Sequence, residues 1–369
     1  MNTLKKTFIA FAVCLSVIIS TLIPAGASAA LQQQLDALST DINACVVYDV
    51  GAGEIIYGKN EKAHIYIAST TKLMTCLVAL SVFGPDDVIT VGNEINLRKA
   101  GSSVSLIQPG HKLKLRTLLA ALLLPSGNDA AYTVAVNTAR KHSGDYTMDN
   151  ARAVTYFCGL MNDSARALGC YDTYFVNPEG WDNSNHYSTA EDMTKISLAA
   201  LNNQVIASIA NIHSNRFYFA SGENIVWNNT NKLLDPESTY YYPYAHGLKT
   251  GSTPLAGYCL VAHAEKNGRQ LLVLAFGCPY GNDSVRFGKV RDIFEAAFAI
   301  PVIGDIDDDG TVTAGDARLA LRVSVGLEEG SAIRKSRGDT DGDGEITSSD
   351  ARNILRAAVG LDNMSAWKK

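Results

Sequence analysis

Ser69-Thr70-Thr71-Lys72 opens an apolar run that continues through Leu73, Met74, Cys76, Leu77, Val78, Ala79 and Leu80. The run predicts a helix from Thr71 to Leu80, with Ser69 at its start. Residues three apart share a helix face, so Lys72 reaches the Ser69 hydroxyl. A serine hydroxyl is a poor nucleophile until a base removes its proton. A lysine serves as that base only when desolvation and nearby positive charge lower its pKa. Taken alone, the four residues fit a helix cap with a solvated lysine better than a catalytic pair.

Two further short motifs follow in order, Ser126-Gly127-Asn128 and Lys249-Thr250-Gly251. S-x-x-K, S-x-N and K-T-G in that order form a known catalytic set, and Lys249 is a candidate for the charge that activates Lys72. The backbone N–H of Ser69, at a helix N-terminus, points a donor toward a developing oxyanion. Other hydrolase layouts are missing: no G-x-S-x-G elbow and no H-E-x-x-H occurs, and the seven histidines show no ligand spacing. They read as surface or core residues.

Outward from these motifs, Ala44–Tyr48 and Glu54–Tyr57 flank Gly51-Ala52-Gly53 as one hairpin. Tyr258–Ala264 and Gln270–Phe276 flank Asn267-Gly268 as another. Between them Val154, Phe157, Met161, Ala165 and Leu168 recur at helical spacing, with Gly169 as C-cap. Ser188-Thr189-Ala190-Glu191 reads as a capping box ahead of Met193 and Ile196. Phe287, Val290, Phe294 and Ala297 make a last helix. Strands at both ends with helices between predict an α+β sheet whose terminal strands meet.

The chain has 369 residues, 47% of them hydrophobic, and a net charge of −5. This composition supports a large core and excludes a nucleic-acid binder held by a basic surface. The acidity is local: residues 301–369 carry 13 acids against 9 bases, the rest 24 against 23. Lys5 and Lys6, the apolar run Phe8–Ile23 and Ala27-Ser28-Ala29 read as a signal peptide over residues 1–29, with an uncleaved anchor as the other reading. The mature chain is then expected to be secreted, associated with the cell envelope and without a membrane span. Its six remaining cysteines, scattered and without a C-x-x-C pair, are expected to be mostly free and buried.

After Ile300 the chain repeats itself. Gly304-Asp305-Ile306-Asp307-Asp308-Asp309-Gly310 returns as Gly338-Asp339-Thr340-Asp341-Gly342-Asp343-Gly344, and Asp316-Ala317-Arg318 as Asp350-Ala351-Arg352. Calcium takes six to eight oxygens from a 12-residue loop with glycine at position 6. The expected ligands are Asp305, Asp307, Asp309, the Thr311 carbonyl, Thr313 and Asp316 in the first loop. In the second they are Asp339, Asp341, Asp343, the Glu345 carbonyl, Thr347 and Asp350. Val312 and Ile346 are the expected apolar anchors, and each loop is followed by one helix, with no clear entering helix.

From about Leu38 to Ala299 the chain resembles the serine-type D-alanyl-D-alanine carboxypeptidases, the low-molecular-mass penicillin-binding proteins. Besides the three motifs, the resemblance lies in Leu122–Ala131, Met161-Asn162 through Leu168-Gly169, Thr173–Gly180 and His246–Leu260. It implies a β-lactamase/transpeptidase-like fold: an antiparallel sheet of terminal strands flanked by helices. It also implies roles. Ser69 forms an acyl-enzyme on a peptidoglycan stem peptide ending in D-Ala-D-Ala, and Lys72 is its general base. Ser126 and Asn128 position substrate and relay protons. Lys249 supplies positive charge, Thr250 and Gly251 bind substrate, and the Ser252 N–H completes the oxyanion hole. Arg286 falls where the family often has an arginine for the terminal carboxylate, and it reads equally well as a surface residue. The family's N-P-x-G stretch often carries His where this chain has Glu179. β-Lactams are the implied inhibitors, and catalysis requires no cofactor.

Gly304–Leu361 resembles a dockerin, a small all-α module of two calcium loop-helix repeats that binds a cohesin-domain protein. Dockerins often use positions 10 and 11 for recognition, here Ala314-Gly315 and Ser348-Ser349. The expected organisation is a signal peptide (1–29), a carboxypeptidase domain (30–300) and a dockerin holding two Ca2+ (301–369). Two other functions fit the residues: a serine β-lactamase, and a non-catalytic penicillin-binding or scaffold-assembly module.

Overall fold

A computed structural model describes residues 25–362 together with Met364 and Trp367. The expected signal peptide lies outside the described residues as far as Pro24. Helix α1 (Ala25–Leu38) runs across the expected cleavage point. Next come β1 (Ala44–Asp49), β2 (Glu54–Lys59), helix α2 (Lys72–Val82), β3 (Val88–Thr90) and β4 (Lys112–Lys114). Helices α3 (Leu115–Leu123), α4 (Asn128–Ser143), α5 (Asn150–Ala167), α6 (Ala190–Leu201) and α7 (Gln204–Ala210) follow. The chain returns to strands in β5 (Ser214–Tyr218), β6 (Asn224–Asn228), β7 (Ala245–Thr253), β8 (Gly257–Lys266) and β9 (Arg269–Cys278). It ends in α8 (Val290–Phe298), α9 (Ala314–Ser324), α10 (Ala332–Gly338) and α11 (Ser348–Ala358).

The main sheet has the order β2-β1-β9-β8-β7 and is antiparallel throughout. The two expected hairpins are present, and the terminal strands meet: Val46 lies opposite Leu274 and Val47 opposite Val273. Alternate side chains point to opposite faces. Val46, Val261, Leu272 and Leu274 therefore join the core under the helices α2–α6. Val47, Leu260, Val273 and Ala275 join a second core with Phe287, Phe294 and α8. Both faces being covered explains why these strands are nearly unbroken apolar runs.

Several elements differ from the sequence reading. A 3-10 turn, Ala68–Thr71, carries Ser69, and α2 starts at Lys72. The cap of α6 is Thr189, whose hydroxyl accepts from Asp192 N at 3.0 Å. Ser188 is committed elsewhere, its backbone bridged to Ile65 and its hydroxyl bonded to Thr173. The last helix of the main fold begins at Val290, after a π-turn over Ser284–Lys289 that holds Arg286 and Phe287. The K-T-G strand β7 and the small hairpins β3–β4 and β5–β6 had no sequence signal clear enough to find them.

Asp49 and Arg269 form a buried ion pair at 2.8 Å. Arg269 also donates to the carbonyls of Ala297 and Ile300, tying the sheet to the end of α8. In the tail, α9 and α11 pack around Ile306, Ala320, Ile346, Ile354 and Trp367. The short α10 leads into the second acidic loop, where no entering helix was expected. The first acidic loop rests on the β8–β9 turn: a Cβ on Gly310 would overlap the Asn267 carbonyl. All six described cysteines are free and buried. Among the described residues, no helix is long and apolar enough to cross a membrane.

Candidate active site

Three elements converge on Ser69. Its 3-10 turn is clamped from both sides. Gly251 of β7 packs so closely that a Cβ there would lie 3.0 Å from the Ala68 Cβ. Gly180, with φ +89°, leaves no room for a Cβ against the Ala68 carbonyl. Ala68 and Ser126 themselves have positive φ, 46° and 61°. Non-glycine residues adopt this conformation only where the surroundings impose it, and functional sites are where such strain collects.

Lys72 is fully buried, and its Nζ donates three hydrogen bonds. They run to Ser69 Oγ at 2.7 Å, Asn128 Oδ1 at 2.7 Å and the Glu179 carbonyl at 2.9 Å. Burial lowers its pKa to about 8, against the opposing charges of Glu179 and Asp129. Burial, one of the two causes expected, is the first cause of that lowering. The Lys249 amine is itself held well below the usual lysine range, by burial first and then by Lys72 and Arg286. It is buried and meets no hydrogen-bond partner among the described residues.

Ser69, Asn128, Glu179, Trp181, Ser252 and Tyr280 line a cleft of about 280 Å3. Ser126 and Lys249 are buried and are not among the residues that line it. A larger hollow of about 430 Å3 beside Arg116 and Phe217 touches none of the candidate residues. Thr250 shares a 2.5 Å hydrogen bond with Thr230. Arg286 is buried, so the surface reading falls. Its guanidinium stacks on the Tyr258 ring at 3.8 Å and bonds Asp283 at 2.6 Å, and its Nε has no partner among the described residues.

Several supporting residues escaped the sequence reading. Asp129 accepts from Ser105 N, Ser105 Oγ and Ile107 N, pinning the 105–107 segment to the start of α4. His186 accepts from Val176 N at Nδ1, so Nε2 carries the proton and donates to Thr71 Oγ1 at 2.8 Å. Burial pushes this imidazole down to about 3, so it stays neutral. Asp182 accepts from Thr253 Oγ1 and Leu255 N, joining the 177–182 loop to the β7–β8 turn. Tyr132 donates to Glu179 Oε1 at 3.0 Å. Each pair is distant in sequence, which leaves no local signal.

In the tail, carboxylates of Asp305, Asp307 and Asp309 lie within 4.8 Å of one another, as do those of Asp339, Asp341 and Asp343. Gly310 and Gly344 each have φ +92°, the turn that position 6 demands. Carboxylates grouped in this way could hold a cation, and all-oxygen donors suit calcium. The other expected ligands are placed differently. Asp316 and Asp350 form capping boxes with Thr313 and Thr347. Those two hydroxyls donate to the position-12 carboxylates. The Thr311 hydroxyl donates to Asp309, and the Glu345 carboxylate binds Lys335, consistent with carbonyl ligation at both. Of the apolar anchors, Ile346 is buried and Val312 half-buried.

The D-alanyl-D-alanine carboxypeptidase family (peptidase S11) matches residues 29–279, and the dockerin type I domain matches residues 303–357. The D-alanyl-D-alanine carboxypeptidase DacF of Bacillus subtilis is 26% identical over 265 residues, 71% of this chain and 63% of its own length. DacC of Escherichia coli is 28% identical, covering 82% of this chain and 73% of its own. The D-alanyl-D-alanine carboxypeptidase of Streptomyces sp. K15 is 32% identical over 60% of this chain and 76% of its own. The chain thus spans less than two thirds of the first of these relatives. The crystal structure of the Streptomyces K15 DD-transpeptidase superposes with a TM-score of 0.64 at 29% identity, covering 70% of this chain and 98% of that one.

Proposed function

This chain belongs to the D-alanyl-D-alanine carboxypeptidase family, and from that premise we propose that it removes the terminal D-alanine from peptidoglycan stem peptides. The observation that carries the proposal is the buried Lys72 amine 2.7 Å from Ser69 Oγ, lowered to about 8. Neutral Lys72 takes the Oγ proton as Oγ bonds to the carbonyl carbon of the penultimate D-alanine. The resulting oxyanion faces the backbone N–H groups of Ser69 and Ser252. Collapse breaks the C–N bond, and the departing D-alanine nitrogen takes a proton relayed through Ser126. A water then gives a proton to Lys72 while its oxygen bonds to the acyl carbon; collapse of that second oxyanion breaks the acyl C–Oγ bond, Lys72 returns the proton to Ser69 Oγ, and the shortened peptide leaves with its new carboxyl group. The free Lys249 amine and the Thr250 hydroxyl, backed by Arg286, support binding of the terminal carboxylate. No cofactor enters these steps. β-Lactams acylate Ser69 as mimics of the D-Ala-D-Ala end.

The tail supports a tether. We assign it two Ca2+ ions, held by the Asp305 and Asp339 loops, which order the two repeats. Leu321, Val325 and Leu327 on one repeat, and Leu355, Val359 and Leu361 on the other, are exposed apolar residues in equivalent places. They suit a protein partner, and a cohesin-bearing surface or scaffold protein is the one the dockerin implies. Residues 1–29 read as a signal peptide, so the mature chain acts outside the cell.

The test is incubation with a fluorescent penicillin, with Ser69→Ala as control, and assay of D-alanine release from diacetyl-Lys-D-Ala-D-Ala. A long-lived label on Ser69 together with D-alanine release is expected. Rapid penicillin turnover without D-alanine would make the protein a β-lactamase, and no label would make it a non-catalytic module.

A further inference from the structure

The acyl-transfer roles leave Glu179 without a task. Its side chain is 1% exposed. Oε1 accepts the Tyr132 hydroxyl at 3.0 Å, while Oε2 is buried and has no donor among the described residues. The backbone carbonyl of the same residue accepts from Lys72 Nζ. The segment around it cannot turn away. Asn177 Oδ1 accepts from Gly180 N and Trp181 N, Thr75 donates to the Pro178 carbonyl, and Gly180 is wedged against Ala68. A rigid loop thus fixes the Glu179 backbone carbonyl on the lysine that takes the serine's proton and keeps the carboxyl group of the same residue buried. A buried carboxylate with an unfilled acceptor is costly unless a cation compensates it.

We propose that Glu179 is a positioning residue for the acyl cycle: pinned by Tyr132, its carboxylate holds the proton on Lys72 and sets the pH at which that lysine becomes a base. The inference rests on the acyl-transfer reading. A carboxylate favours the ammonium form of a neighbouring lysine. Glu179 therefore opposes the burial that lowers Lys72, with Asp129 of α4 acting the same way. Other groups frame the pair. Cys76 on α2 is held as the thiol by burial, and Lys249 of β7 is kept from charging by burial and by Lys72. Burial raises the Glu179 carboxyl above the usual carboxylate range, against Lys72, the Tyr132 hydroxyl and Lys99, which favour the carboxylate. Cys158 stands beyond Tyr132, also protonated.

The experiment uses the full mature chain with lysine labelled by 13C at Cε, the Lys72 signal being assigned by its loss in Lys72→Arg. Titration of the wild type is expected to show a midpoint near 8. Glu179→Gln should move it down by about one pH unit, a tenfold change in the neutral-to-charged ratio. Tyr132→Phe should move it the same way by less, and Glu179→Asp should restore it. The rising limb of penicillin acylation should follow the same order. A Lys72 midpoint unmoved in both Glu179→Gln and Tyr132→Phe overturns the inference, even if acylation slows, because a lower rate at a fixed midpoint marks a packing role. Should Glu179→Gln fail to fold, Tyr132→Phe decides. The titration needs no substrate, so its result stands apart from the carboxypeptidase reading, which fails instead if wild-type Ser69 takes no label.

Discussion

Gly127 stands between Ser126 and Asn128, and replacing it by alanine tests how tightly the site is held. Its φ is −62°, so alanine meets no backbone penalty. Space is the obstacle. A Cβ there would lie 2.7 Å from the Ala121 carbonyl oxygen, from Asp129 Oδ1 and from Ser105 Cβ. Two of these neighbours are backbone-fixed, and Asp129 is held by its own hydrogen bonds to Ser105 and Ile107. Ordinary contact needs roughly 0.6–0.8 Å more at each. The relief is for residue 127 to retreat, carrying Asn128 away from Lys72, whose bond to Oδ1 is 2.7 Å long. Overpacking of this kind costs about 1–3 kcal/mol of stability. A misplacement approaching 1 Å costs on the order of 100-fold in rate. Urea unfolding and the second-order rate of Ser69 acylation by a fluorescent penicillin measure the two effects. Gly159→Ala is the control: Gly159 lies within α5 with nothing within 4 Å of its would-be Cβ. It should gain about 0.5–1 kcal/mol and acylate normally. A folded Gly127→Ala enzyme that acylates at the wild-type rate would refute the reasoning.

Three further outcomes are expected. Because burial lowers Lys72 to about 8 and the neutral amine is the base, acylation should rise about tenfold from pH 6 to pH 7 and level off above about pH 9. A profile still climbing steeply at pH 10 would contradict the lowered amine. Asp49→Ala strands the buried Arg269 guanidinium and should cost about 3–5 kcal/mol in chemical denaturation, with acylation per folded molecule unchanged. Calcium removal by chelator should unwind α9 and α11, seen as lost helical circular dichroism and as a red shift of the buried Trp367 that vanishes in Trp367→Phe. Ser69 acylation should persist throughout that chelation.

The parts legible in the sequence are those fixed by neighbours along the chain. The hairpin turns at Gly51–Gly53 and Asn267-Gly268, the α5 stripe closed by Gly169, and the two acidic loops all carry local signals, and each appears in the fold. The catalytic motifs were equally plain, and the structure joins Ser69, Lys72 and Asn128 by hydrogen bonds. What escaped depends on distant partners. β7 is buried along most of its length and contains Gly247 and Gly251, so neither alternation nor β-propensity marks it. Thr189 displaces Ser188 as a cap because a bridge to Ile65 occupies Ser188. Tyr132, His186 and Thr230 act on Glu179, Thr71 and Thr250, partners that only the fold brings near. Desolvation was expected at Lys72, and burial is the first cause of its lowering, but how deeply that amine is buried is something no motif records.

The pairing of β1 with β9 also governs when this protein can fold. β1 is made early, yet its central partner comes from the far end of the main fold, Val46 waiting for Leu274. Contacts so remote in sequence make folding slow. An emerging chain can form its first hairpin and its helices, but the sheet stays open until β9 has been delivered. If residues 1–29 direct export, this delay is useful: the topology itself keeps the chain threadable during translocation, and folding becomes an event on the far side.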